Sequence, residues 1–288
     1  MRHRIELGLT FRYDSFMPEL PEVESVIRGL RDDLIGRQLL GLECHWERTL
    51  QNCSPATFDE RIQGRVVSKL SRRGKYIVIH TDQSALVIHL RMTGRLYLAR
   101  AGEKLAADRW LRVSFLLDDG WQLRFSDLRK FGRIALVDDL PSHFAHLGLE
   151  PLSEDFDLKG WKRICKARKK SIKTLLLDQR IVAGIGNIYA DEACFLAGIN
   201  PARPANSLTD AEVCRLHRSI RDVLQYAIQY EGSSFQWYRK PDGSGGNLQE
   251  HFYVFNRANE CCRSCTKAIV KIRHHGRGTH FCPHCQPK

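Results

Sequence analysis

Apolar positions along this chain follow two rhythms, and the change between them predicts the fold. From Pro21, the residues Val23, Val26, Ile27, Leu30 and Leu34 recur at helical spacing, with Pro21 and Glu22 suited to a first turn. Short alternating runs follow at residues 65–70, 75–80, 85–90, 95–99, 110–117, 122–126 and 133–137. Their spacing, with turn signals at Arg73-Gly74, Thr93-Gly94 and Asp119-Gly120, predicts an antiparallel sandwich or barrel. After Pro141 the pattern turns helical. Thr209-Asp210-Ala211-Glu212 has the form of a capping box, and Val213, Leu216, Ile220, Val223, Leu224 and Ala227 continue it as one apolar stripe. Residues 242–247 read as a mobile loop. The expected organisation is α+β and multidomain: a leader or mis-called start at 1–16, then units at 17–140, 141–248 and 249–288.

Composition narrows the function classes. At 288 residues, 43% apolar and 27% charged, the chain has the make-up of an ordinary globular protein with two or three cores. No apolar run is long enough to span a bilayer, so no membrane partner is expected. The leader carries Arg2, Arg4, Glu6, Arg12 and Asp14, which interrupt any apolar core and exclude a signal peptide. A net charge of +12 suits a polyanionic partner, and equally a merely soluble basic surface. Of the ten cysteines, five cluster between Cys261 and Cys285 and the rest are scattered. That is no disulfide framework; it indicates a reducing cytoplasm and a metal site.

Cys262-x2-Cys265 and Cys282-x2-Cys285 have the spacing of a four-cysteine zinc site, closed by its own ligands and therefore structural. Cys261 breaks that spacing and is left out. Between the pairs, Lys271, Arg273, His274, His275, Arg277 and His280 form either a phosphate-facing hairpin or a solvated basic face. Gly184-Ile185-Gly186-Asn187 lies between helical stretches. It can present backbone N–H groups to a phosphate or serve as an ordinary turn. The run at 166–173 reads by itself as solvated surface, Lys75 as an exposed lysine, and Met92 and Phe131 as core, although Met92, Arg129 and Phe131 at loop positions can also fill the gap a flipped base leaves.

Pro18 stands apart, because Met17 before it can itself be a start. If that methionine is trimmed, Pro18 becomes a free secondary amine with a pKa of about 8, able to attack a sugar carbon and form an iminium. Within a longer chain the same nitrogen is an inert tertiary amide.

Taken together, PELPEVE at 18–24, RRGKY at 72–76, HLRMTG at 89–94, DLRKFG at 127–132, HLGLEPL at 146–152, GIGNIYADE at 184–192, GINP at 198–201 and the cysteine module resemble the formamidopyrimidine-DNA glycosylase (Fpg, 8-oxoguanine DNA glycosylase) family of the Fpg/Nei superfamily. The resemblance runs from Met17 to the C-terminus. It implies a two-layered β-sandwich, a helix–two-turn–helix domain and a β-hairpin zinc finger, with double-stranded DNA bound between the lobes by a monomeric bacterial enzyme of the cytoplasm or nucleoid. It makes Pro18 the nucleophile at C1′, Glu19 its general acid/base, Lys75 a phosphate contact near the lesion, and Glu22 a support. Lys173, Asn187 and Arg277 join the phosphate contacts, Met92, Arg129 and Phe131 enter the duplex, with Arg129 on the orphaned cytosine, and the glycine-rich loop at 243–247 approaches the everted base. One structural Zn2+ is implied at Cys262, Cys265, Cys282 and Cys285. The expected activity is excision of oxidised purines followed by β,δ-elimination. PELPEVE sits closer to this branch than to endonuclease VIII, whose substrates are oxidised pyrimidines. Leu128 departs from the proline common before the arginine. The competing readings are a non-catalytic damaged-DNA-binding protein, if residues 1–16 are retained, and an RNA-binding zinc protein, which the Pro18 motif does not fit.

Overall fold

The computed structural model describes residues 17–233 and 239–288, so the leader at 1–16 lies outside the described residues. The chain opens with α1 (Leu20–Leu34) and continues through β1 (Leu39–Cys44), β2 (Leu50–Gln51), α2 (Pro55–Ile62), β3 (Lys69–Arg73), β4 (Tyr76–His80), β5 (Ala85–His89), β6 (Gly94–Arg100), β7 (Leu111–Leu117), β8 (Trp121–Asp127) and β9 (Arg133–Val137). These strands make two sheets, ordered β1-β7-β8-β6 and β2-β9-β5-β4-β3, antiparallel apart from the short β2–β9 pairing.

The two sheets face one another as the sequence pattern predicts. Leu96, Val113, Phe115, Leu123 and Phe125 of the first meet Leu70, Ile77, Ile79, Leu86 and Ile88 of the second, and the apolar stripe of α1 (Val23, Val26, Ile27, Leu30, Leu34) completes this core. The alternate residues Val78, Ala85, Val87, Ala135 and Val137 face the other way, onto Phe144 of α3 (Leu140–Phe144). β5 is thus buried on both faces, which is why its sequence is apolar without alternation.

Four elements differ from expectation. β1, β2 and α2 were not anticipated, and the run expected at 65–70 forms its strand at Lys69–Arg73. Arg72 and Arg73 look like turn residues, yet both continue the strand because carboxylates receive them. Arg72 pairs with Glu24 and Glu150, and Arg73 with Glu150.

The second lobe holds α4 (Leu158–Lys166), α5 (Ile172–Leu177), α6 (Asn187–Leu196) and α7 (Asp210–Gln229) around a core of Trp161, Ile172, Leu175, Tyr189, Leu216 and Leu224. Thr209 caps α7 in the predicted box: its side chain accepts from Glu212 N–H, and Glu212 accepts from Thr209 N–H at 2.8 Å. The hairpin β10 (Val270–His274) and β11 (Arg277–Phe281) forms the C-terminal unit, with a small core of its own around Val254, Cys262, Ile269 and Cys282. Among the described residues, no helix is long and apolar enough to cross a membrane.

Candidate active site

α1 begins at the seam between the lobes, and its N-terminus builds the site. Glu19 is the N-cap, and the capping box closes when Glu22 accepts from Glu19 N–H at 2.9 Å. That box leaves the Glu19 carboxylate free to reach across to the second lobe. There it accepts from Gly186 N–H at 2.6 Å and Ile188 N–H at 2.9 Å, at the amino end of α6. A helix N-terminus favours an anion through its unpaired N–H groups and dipole. Of the glycine N–H groups that sequence alone offered to a phosphate, Gly186 is therefore taken by Glu19 and Gly184 by Gln179 Oε1 at 2.9 Å, which corrects that reading.

Gly186 is required by close approach. A Cβ there would collide with the Glu19 carboxyl carbon and stand 2.7 Å from Lys75 Nζ. Glu19 and Lys75 thus converge over one backbone position, both almost fully buried. Lys75 is not the exposed lysine its composition suggests. Burial raises the Glu19 carboxyl from 4.5 to about 7, against the pull of Lys75 and with the repulsion of Glu22. Burial likewise lowers the Lys75 ammonium, which Glu19 and Glu22 counteract. Pro18 precedes Glu19 directly and is also buried.

Glu22 anchors this corner. It accepts from Tyr189 Oη at 2.5 Å and from Ser233 N–H at 2.9 Å, so α1, α6 and the chain after α7 meet on one carboxylate. Asn187, the first residue of α6, has a buried Oδ1 with no hydrogen-bond partner among the described residues. Arg277 stands exposed at the start of β11, close enough to Lys75 to push the lysine's pKa down. The structure therefore gathers Pro18, Glu19, Glu22, Lys75, Asn187 and Arg277 from all three parts of the chain.

Met92, Arg129 and Phe131 form a second group. Met92 is half-buried in the β5–β6 turn, and Arg129 and Phe131 are exposed in the β8–β9 turn. Phe131 is 45% exposed, so it is not the core residue composition suggested. The Arg129 guanidinium lies over its ring at 4.8 Å.

Lys173 is corrected. It is 1% exposed, and its Nζ is bound to Asp191 at 2.6 Å, Gly278 O at 2.9 Å and Thr279 Oγ1 at 2.8 Å. With its ammonium so enclosed, it holds the finger hairpin to α5 and α6 and cannot contact a phosphate. His280, expected among the basic residues of the hairpin, is also buried there, its N–H donating to Asp191 at 2.8 Å.

Sequence reasoning missed His89 and Glu192. His89 packs edge-on against Tyr76 with ring centroids 4.6 Å apart, and burial first, then Arg91 and Lys75, lower its pKa to about 3. Its Nδ1 accepts from Arg91 N–H at 3.0 Å, so the neutral ring carries its proton on Nε2. The HLRMTG segment contained it, but only its environment distinguishes it from a core histidine. Glu192 accepts from the N–H groups of Tyr253, Val254 and Phe255 at 2.8–2.9 Å and so fastens the finger linker to α6.

The four finger thiols lie within 4.8 Å of one another, with Sγ–Sγ separations of 3.9 Å for Cys262–Cys285 and 3.4 Å for Cys265–Cys282. A tetrahedron with Zn–S bonds of about 2.3 Å has edges of about 3.8 Å, so this donor set fits one zinc ion. Ser264 N–H points at Cys262 Sγ and Cys285 N–H at Cys282 Sγ, as suits thiolate ligands.

Comparison with known proteins agrees along the chain. Residues 17–134 match the formamidopyrimidine-DNA glycosylase N-terminal domain, 147–239 the formamidopyrimidine-DNA glycosylase H2TH domain, and 260–288 the zinc finger found in FPG and IleRS. A formamidopyrimidine-DNA glycosylase of Symbiobacterium thermophilum is 46% identical, the alignment covering 94% of this chain and 90% of that one. The Bacillus subtilis protein of the same name is 39% identical, covering 94% and 100%. Among solved structures, Lactococcus lactis Fpg bound to DNA containing an abasic site superimposes with a TM-score of 0.87 at 36% identity, covering 94% of this chain and 100% of that one. The same enzyme with DNA containing an oxidised pyrimidine gives 0.86 at 37% identity, with the same coverage.

Proposed function

This chain belongs to the formamidopyrimidine-DNA glycosylase family, and from that membership and its buried Pro18–Glu19 corner we propose that it is a base-excision-repair glycosylase and lyase acting on oxidised purines in duplex DNA. The observation that carries the reading is the Glu19 carboxyl. It is buried on the amides of α6, adjacent in sequence to Pro18, and raised to about 7, where an acid can both give and take a proton near neutral pH.

In this reading the Pro18 amine, freed of the residues before it, attacks C1′ of the damaged nucleotide. The C1′–N bond breaks, its electron pair leaves with the base, and a proton neutralises the departing base. The Pro18 nitrogen then gives up its proton, its lone pair forms the C1′=N bond as the C1′–O4′ bond breaks and O4′ takes up a proton, and the resulting open-chain iminium acidifies C2′–H. Removal of that proton expels the 3′ phosphate, a second elimination expels the 5′ phosphate, and water releases the sugar fragment from Pro18. Glu19 handles the protons. Glu22 fixes the α1 terminus through Tyr189 and Ser233, and Lys75, Asn187 and Arg277 hold the strand by its phosphates, with His89 Nε2–H as a further donor. Met92, Arg129 and Phe131 occupy the gap left in the stack. The zinc supplies no chemistry; its four cysteines fold the hairpin that carries Arg277. All ten cysteines are unpaired, which supports a location in a reducing cytoplasm.

The test is single-turnover excision from duplexes carrying 8-oxoguanine, an oxidised pyrimidine or no lesion. The reading expects the 8-oxoguanine duplex opposite cytosine to be cut fastest. Faster release of the oxidised pyrimidine transfers the chain to an endonuclease VIII-like specificity, and binding without release of any base supports a non-catalytic reader of damage.

A further inference from the structure

Met92 stands on the β5–β6 turn, while Arg129 and Phe131 stand on the β8–β9 turn. The two turns meet at one buried carboxylate. Asp127 is fully buried and ends β8 opposite Gly94, the first residue of β6. Its Oδ1 accepts from the Thr93 hydroxyl and from Arg129 N–H at 3.1 Å, and its Oδ2 accepts from Gly132 N–H at 2.7 Å. The Thr93 hydroxyl also accepts from Arg129 N–H at 3.0 Å. Each turn carries one residue in the left-handed region, Arg91 (φ 54°) and Lys130 (φ 60°). Gly132 has no room for a Cβ against the Phe125 ring. Non-glycine residues hold such conformations only where surrounding bonds over-determine them, and here those bonds converge on Asp127 and Thr93.

We propose that Thr93 and Asp127 are positioning residues that lock the Met92 turn to the Arg129–Phe131 turn, so that the three side chains enter the duplex as one preset unit. This deepens the reading of those three residues given above and rests on it. The Thr93 hydroxyl donates to Asp127 and accepts from Arg129 N–H at once. Serine can do both, and valine neither. Without the hydroxyl, a buried carboxylate loses a donor and Arg129 N–H loses its bond to the turn bearing Met92, leaving the β6–β8 pairing at Gly94 and Asp127 as the remaining tie. Arg129 then meets the opposite base in a spread of orientations.

The experiment compares Thr93→Val, Thr93→Ser and Arg129→Ala in single-turnover excision of 8-oxoguanine opposite cytosine and opposite adenine, with a preformed abasic site as second substrate. Thr93→Val is expected to lose about tenfold or more of the preference for cytosine, the scale set by one buried hydrogen bond to a charged acceptor. Its loss on the abasic site should be much smaller, because no base remains to be extracted there. Thr93→Ser should recover the preference. A Thr93→Val enzyme with the parent preference, or a Thr93→Ser enzyme as impaired as Thr93→Val, overturns the proposal. If Thr93→Val does not fold, Thr93→Ala removes the same hydroxyl and carries the same expectation. Arg129→Ala separates the two layers. If it keeps the parent preference, the reading of Arg129 fails and the proposal with it. If it abolishes the preference while Thr93→Val retains it, only the coupling fails.

Discussion

Replacing Glu19 by glutamine tests the electrostatics of the site through stability as well as activity. Burial moves the Glu19 carboxyl from 4.5 to about 7. Each tenfold change in an ionisation constant corresponds to about 1.4 kcal/mol, so ionising Glu19 in the folded chain costs about 3 kcal/mol more than ionising it unfolded. The sign follows from proton binding. Between pH 4.5 and 7 the folded chain holds a proton that the unfolded chain has lost, so stability falls as pH rises through this window and the loss is complete above about 7. Glutamine does not ionise, and its amide NH2 replaces one of the two oxygens that accept from Gly186 and Ile188 N–H, a cost that is the same at every pH. The melting temperature of Glu19→Gln in the full 288-residue chain should therefore rise relative to that of the parent between pH 5 and pH 8. For a domain of this size the relative change is on the order of 5–10 °C. Groups remote from Glu19 are common to both proteins and cancel in the difference; Lys75 does not, because its ammonium loses the Glu19 charge in the variant. The same variant should bind lesion DNA and lose base excision by roughly 10²–10⁴-fold, the usual contribution of a general acid or base. Melting curves that track each other from pH 5 to pH 8 would refute the buried-carboxylate argument. Excision at the parent rate would refute the assignment of Glu19 as proton carrier.

Two further outcomes follow from the finger and its anchor. Cys262→Ser or Cys285→Ser should release the zinc, measured by metal analysis, and with it DNA affinity, because the hairpin depends on the metal for its fold; unchanged binding by a zinc-free chain contradicts this. Arg277→Ala should reduce the slope of log affinity against log salt by about 1, as expected for one phosphate contact, whereas Lys173→Met should leave that slope alone and destabilise the chain by about 3–5 kcal/mol, because the buried Asp191 loses its ammonium partner and keeps only its bonds to His280; a changed slope for Lys173→Met would restore it as a phosphate contact.

The legible parts of this sequence were those where one local rule decides the outcome. The Thr209 capping box, the stripe of α1 and the paired Cys-x2-Cys spacings each fix their element without outside help. The run at 85–90 was expected as an alternating strand, and only the structure shows β5 covered on both faces. What could not be read depends on partners distant in the chain. Arg72 and Arg73 become strand residues only because Glu24 and Glu150 receive them. Lys75 becomes a buried site residue only because Glu19 stands nearby across Gly186. Lys173 sits in a run of exposed-looking cations and is buried because Asp191, Gly278 and Thr279 enclose it. Thr93 and Asp127 lie within the HLRMTG and DLRKFG segments, but nothing in either segment shows that their side chains meet and join the two turns.

In the proposed reaction the Pro18 nitrogen forms the covalent bond to C1′. Borohydride reduction of the reacting complex on DNA with 8-oxoguanine opposite cytosine would capture that bond. The comparison is between a chain that begins at Pro18 and one whose Met1–Phe16 leader is verified intact by mass. A stable protein–DNA adduct, mapped to Pro18, is expected from the first chain and none from the second. Equal trapping by both chains, or an adduct on a lysine such as Lys75, would contradict it.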